Sequence, residues 1–227
     1  MNIIGTIENT VALEQLKDKH KGETAYLLGT GPSLNEVDFG LLKDKLLIGC
    51  NSLLRGYSKF GIRCSYYCCS DGYTYEQLGA EIMALEDTEK FICHGAVKHY
   101  NNNPVGKNRF VPELGYLWFD REVSFDLLLG TYNGGTVMVD IMIPLAVWMG
   151  CTRIVLLGCD CSYAASHHFD DYVEHVAAPP LQGDWTKIFF SYSLLKCELD
   201  SIDVEVYNAT DGTKLDVFTK KPLSELV

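Results

Sequence analysis

The chain has 227 residues, 47% of them apolar and 22% charged, which suffices for one sizeable core and excludes a disordered or low-complexity polymer. A net charge of −11 excludes a broad nucleic-acid footprint, and an anionic ligand would need local donors because the overall field repels it. No apolar run reaches the ~18 residues of a membrane span. The nearest, residues 136–149, contains Asp140 and Pro144.

In chain order, "ENTVALEQLKDKHKG" has apolar residues at helical spacing (Val11, Leu13, Leu16) and stops at Gly22, which predicts a peripheral helix. Short apolar runs then recur: "AYLLG", "LLIGCN", "CSYYCCSD", "KFICHG", "RFVPEL", "RIVLLGCD" and "VEVYNAT". Several are apolar at consecutive positions, as strands buried on both faces are. Between them "TYEQLGAEIMALE", "GGTVMVDIMIPLAVWMG" and "DWTKIFFSYSLLKCELDS" read as helices, the middle one kinked or restarted at Pro144. The tail "GTKLDVFTKKPLSELV" reads as a short strand and an edge segment. The alternation predicts an α/β fold, a mainly parallel sheet with helices on both faces, in one domain over residues 1–227. Nine cysteines, odd in number and mostly inside the apolar runs, are expected to be buried thiols of a cytoplasmic protein without disulfides.

Four strands end in a small or polar residue: Ser33, Asn51, Asp71 and Asp160. In a parallel sheet these ends share one edge, where ligands bind. The corner "GTGPS" (Gly29, Thr30, Gly31, Pro32, Ser33) is either a tight turn or a place where backbone amides approach a phosphate; it fits neither GxGxxG nor a Walker A loop. Asn133, Gly134 and Gly135 precede a helix, so they either expose its first amides to a ligand or form a flexible joint capped by Thr136. "GCDCSYAASHHFDDYVEH" is the densest polar segment. If helical, it sets His168, Asp171 and His175 on one face, a pattern that matches no established metal-ligand spacing and suits a general acid or base better. Asn208, Thr210, Asp211 and Gly212 follow the last long strand and either recognise a base or sugar or close the fold with a turn.

Taken in order, "LLGTGPSLNEVD", "LIGCNSLL", "YNGGTVMV…MGCTRIVLLGCDCSY" and "VYNATDGTKLDVF" resemble the MptE-like family, which joins 6-hydroxymethylpterin diphosphokinases to glycosyltransferases of polysaccharide clusters. The first three also resemble bacterial family 42 sialyltransferases and flagellin-modifying transferases. The resemblance implies a Rossmann-like domain that binds a nucleotide sugar across the strand ends and transfers an acidic, sialic-acid-like sugar from a CMP donor to a glycan acceptor without a metal or other cofactor. It implies that Gly29, Thr30 and Gly31 line phosphate and sugar, that Asn51 holds the sugar nucleotide, that Gly134 and Gly135 lie beside the cytidine monophosphate, and that Tyr163 hydrogen-bonds the phosphate. The histidine those enzymes carry before their last long helix is missing from "APPLQGDWTK", which leaves His168 and His175 as the bases. Asp71 stands near an asparagine of those enzymes. The alternatives are a pterin diphosphokinase that holds Mg²⁺ on Asp71 and Asp160, and a non-catalytic nucleotide-binding protein. Self-association is compatible with all three.

Overall fold

The computed structural model describes residues 12–93, 108–111, 123–162, 168–169 and 182–227. Their strands form one eight-stranded sheet, β1 (Thr24–Leu28), β2 (Leu46–Cys50), β3 (Tyr66–Cys69), β4 (Glu89–Cys93), β5 (Asn108–Val111), β6 (Arg153–Leu157), β7 (Glu205–Asn208) and β8 (Thr219–Lys220). The order is β5-β4-β3-β2-β1-β6-β7-β8, and every pairing is parallel. All seven apolar runs and the tail segment therefore contribute strands. β2 is buried at every position and β1 and β6 at all but the first, which is why their sequences are apolar without alternation.

The helices are α1 (Tyr57–Phe60), α2 (Gly72–Met83), α3 (Ile143–Trp148) and α4 (Gln182–Ser201), with 3-10 turns at Pro32–Glu36, Phe39–Leu42 and Asn51–Gly56. Strand order runs outward from β1 in both directions. Parallel crossovers are right-handed in about 98% of cases, so the two halves carry their helices on opposite faces. The reversal falls between β1 and β6, which makes that junction the switch point of a Rossmann-like sheet.

Two local departures from the sequence reading have physical causes. Within the described residues, helix covers 12–14 and gives way to turns up to Gly22, because the amides of Asp18, His20 and Gly22 bond the carbonyls of Trp148, Met149 and Gly150 at the end of α3. Ahead of Pro144 the helix widens into a π-turn, Met138–Met142, in which Ile143 N–H donates to the Met138 carbonyl. A regular α-helix would press the proline ring on the carbonyl four residues earlier, that of Asp140, and the wider turn relieves this.

Candidate functional site

The loops after β1 and β6 meet at the switch point and bind each other. Gly29 and Gly31 donate their amides to the Leu157 and Gly158 carbonyls (2.8 and 2.9 Å). Ser33 donates its amide to Asp160 Oδ1 (3.1 Å) and its hydroxyl to Asp160 Oδ2 (2.7 Å). A Cβ on Gly29 would stand 2.5 Å from the Gly158 oxygen, and one on Gly31 1.8 Å from Asp160 Oδ2. The corner is thus small because the β6 loop lies against it. The Gly29, Gly31 and Ser33 amides have acceptors within the protein, and the last of these is a carboxylate, as the tight-turn reading of the corner requires.

The β6 loop is braced from behind. Thr210 Oγ1 accepts from Cys159 N–H (3.0 Å), Thr213 donates its hydroxyl to the Cys159 carbonyl (2.7 Å), and Asn208 donates to the Leu215 carbonyl (3.2 Å). Asn208, Thr210 and Thr213 are buried. Of the two readings of "VYNATDGT", the structure supports the closing turn for these three. Burial pushes the Cys161 thiol up to about 12, which keeps it protonated and a poor nucleophile.

At the end of β2 the chain turns through Asn51 with φ 50°, a left-handed conformation that non-glycine residues seldom adopt. Tyr67 on β3 holds this turn: its hydroxyl lies 2.7 Å from the Asn51 carbonyl and accepts from Leu54 N–H at 2.8 Å. Burial pushes the Tyr67 hydroxyl well above its usual range, so it stays a neutral donor. Asn51 Oδ1 is buried and has no partner among the described residues. An acceptor left in that state normally costs stability, so a donor supplied by a ligand would find it prepared.

Asp71 is exposed and caps α2 by accepting from Thr74 N–H (2.6 Å). At the next corner, Asp140 Oδ1 accepts from Gly134 N–H (2.7 Å) and Gly135 N–H (3.1 Å), while Thr136 Oγ1 accepts from Val139 N–H (3.3 Å). These glycine amides, too, have an acceptor within the protein. Gly134 has no room for a Cβ, which would stand 2.4 Å from Val139 Cγ1. Among the described residues no three metal-ligating side chains gather, and Asp71 and Asp160, the carboxylates a Mg²⁺-dependent reaction would use, are committed to a cap and to Ser33.

His168 lies at the switch point. Its Nδ1 is 2.9 Å from Thr30 Oγ1, and the next amide, that of Phe169, donates to the Thr30 carbonyl at 2.8 Å. Of the polar segment after β6, residues 168–169 thus lie against the β1 corner. Tyr163 and His175 lie outside the described residues. Sequence reasoning missed Phe169, Tyr67 and Asp140, which hold the loops of the site through packing and hydrogen bonds. The one signal was for Phe169, an isolated apolar residue in "HHFDD".

A parallel sheet whose β1 and β6 loops join at the switch point defines a Rossmann-like α/β protein. The chain belongs to the MptE-like family, whose model, described as 6-hydroxymethylpterin diphosphokinase MptE-like, matches residues 1–166. Among solved structures, the Maf glycosyltransferase of Magnetospirillum magneticum AMB-1 matches with a TM-score of 0.59 at 14% identity, over 97% of this chain and 38% of that one. This chain therefore spans well under half of that protein, and the likeness is one of fold. Thiamin pyrophosphokinase of Geobacillus thermodenitrificans gives a TM-score of 0.35 at 16% identity over 78% of this chain and 56% of that one. No curated protein matches.

Proposed function

We propose that this protein is a glycosyltransferase that binds a nucleotide-activated acidic sugar, with CMP as the leaving group, at the carboxyl edge of its sheet and transfers the sugar to a glycan hydroxyl. The observation that carries this reading is the His168 imidazole held on the Thr30 hydroxyl at the switch point. The resemblance of the strand-end motifs to family 42 sialyltransferases supports the CMP donor, and a cytoplasmic location belongs to the same proposal.

When Nδ1–H donates to Thr30 Oγ1, Nε2 keeps its lone pair, the form a general base needs. The acceptor hydroxyl then gives its proton to Nε2 as its oxygen bonds to the anomeric carbon, and the bond from that carbon to the CMP phosphate oxygen breaks. The products are the glycoside, CMP and a protonated His168. Asn51 Oδ1 accepts from the donor substrate. Asp160 has about four lone-pair sites, of which Ser33 takes two, so it suits a sugar or ribose hydroxyl and repels a phosphate. Gly29, Gly31, Gly134 and Gly135 supply shape rather than free amides. Asp71, Asn133 and Tyr163 complete the proposed nucleotide site, with Tyr163 donating to the departing phosphate, and His175 is the reserve base.

Thermal shift with CMP, CDP, UDP, and ATP with Mg²⁺ tests the ligand. One present at 100 times its Kd stabilises by about 2.7 kcal/mol, enough to see. A response to CMP supports the transferase. A response to ATP with Mg²⁺ alone would favour the pterin diphosphokinase that the family's description suggests. With CMP-N-acetylneuraminate as donor, His168→Ala should lower turnover by ~10²–10⁴-fold with CMP binding nearly unchanged.

A further inference from the structure

The base proposed above is one end of a segment that leaves β6, and it needs something to fix it. We infer that Phe169 is the positioning residue that sets His168 over the β1 corner, with Asn35 as its latch; the inference rests on the reading of His168 as the base.

The peptide groups beside Phe169 are held on both sides. Its amide donates to the Thr30 carbonyl (2.8 Å), and its own carbonyl accepts from Asn35 Nδ2 (3.1 Å). Lys59 Nζ donates to Asn35 Oδ1 (2.6 Å), which fixes the direction of the amide. The Phe169 ring is 6% exposed and packs on Phe60, centroid to centroid 5.2 Å, and Phe60 stacks on Phe39 at 4.6 Å. Gly56 makes the room: a Cβ there would stand 2.9 Å from Phe169 Cε2.

Thr30 receives both neighbours at once, Phe169 through its carbonyl and His168 through its hydroxyl. With the backbone of residue 169 pinned and its ring buried, the freedom left to His168 is mainly in its side-chain torsions, on which the Thr30 hydroxyl acts directly. A base tethered in this way is held within hydrogen-bonding tolerance of one position, as general-base catalysis needs. An anchor of this kind changes the rate of the chemical step and leaves donor affinity alone.

The test uses the full chain labelled with ¹⁵N in its histidine rings, the His168 signals being assigned by their loss in His168→Ala. In the wild type the ring nitrogens should report one dominant tautomer. In Phe169→Ala they should move to the tautomer mixture of free histidine, and Phe169→Leu should restore part of the wild-type pattern. With CMP-N-acetylneuraminate as probe, Phe169→Ala should lower kcat by at least ~10-fold with KM and CMP affinity within about twofold, and Asn35→Ala should do the same more weakly. If Phe169→Ala fails to fold, Asn35→Ala carries the test, since that side chain is exposed. His168 signals and kcat unchanged in the folded variants would overturn the anchor. A full rate in His168→Ala would instead overturn the base, and the ring spectra would still decide whether Phe169 holds the imidazole.

Discussion

Gly31 has no space for a side chain, since a Cβ would meet both Asp160 Oδ2 at 1.8 Å and the Gly158 oxygen at 2.7 Å. Gly31→Ala should therefore cost about 1–3 kcal/mol of stability, the range of overpacked sites, whatever it does to a ligand. Part of that cost is displacement of the Asp160 carboxylate from Ser33. The double variant Gly31→Ala/Asp160→Ala should then be more stable than the sum of the two single losses predicts, by about 0.5 kcal/mol or more. Urea denaturation of the four proteins measures this, and strict additivity would place the whole clash on the Gly158 carbonyl.

At the scale of elements, two carboxylates tie turns to helices. Asp140 is buried in the π-turn and takes the amides of Gly134 and Gly135. Asp140→Ala would leave the Gly134 amide with its 3.1 Å bond to the Tyr132 carbonyl and would remove the carboxylate acceptor shared with Gly135, and should cost about 1–3 kcal/mol, read as a fall in Tm. Glu81 on α2 lies at the surface and pairs with Arg55 of the turn that follows Asn51, at 2.6 and 3.0 Å. The hydrogen-bonded Arg55 guanidinium holds the Glu81 carboxyl below its usual range. A lowered carboxyl contributes stability above its unfolded pKa and loses it as pH falls through the folded value. Arg55→Ala should thus destabilise at pH 7 by less than about 1 kcal/mol, as partly exposed pairs do, and match the wild type once pH drops below the carboxylate range. Denaturation midpoints at pH 7 and pH 3 check this, and a penalty that persists at pH 3 would mean that Arg55 acts through packing.

The whole molecule carries a net charge of −11 and gathers no basic stripe, so its field opposes an anionic nucleotide. Raising salt from about 10 mM to about 150 mM shortens the screening length from about 30 Å to about 8 Å. CMP association should therefore quicken with salt, measured by stopped-flow mixing. A rate that falls with salt would reveal a locally basic site and a different electrostatic design.

The sequence by itself determined the sheet and its edge. Runs such as "LLIGC" and "IVLL", short and without a polar side chain, fit strands covered on both faces, and parallel strands deliver their following residues to one side. Ser33, Asn51, Asp71 and Asp160 were readable as edge residues for that reason, and the family was readable from the order of the motifs. What those residues bind was not, because partners 127 positions apart, as Ser33 and Asp160 are, leave no periodic trace. The glycines of "GTGPS" look the same in sequence whether a phosphate or a neighbouring loop lies against them; only the sheet order, which sets β6 beside β1, put Gly158 and Asp160 there. Phe169 was hidden likewise, since its pocket is built from Gly56 and Phe60 on another element. Local chemistry decides which residues reach the edge, and the tertiary packing decides which of them are spent on each other.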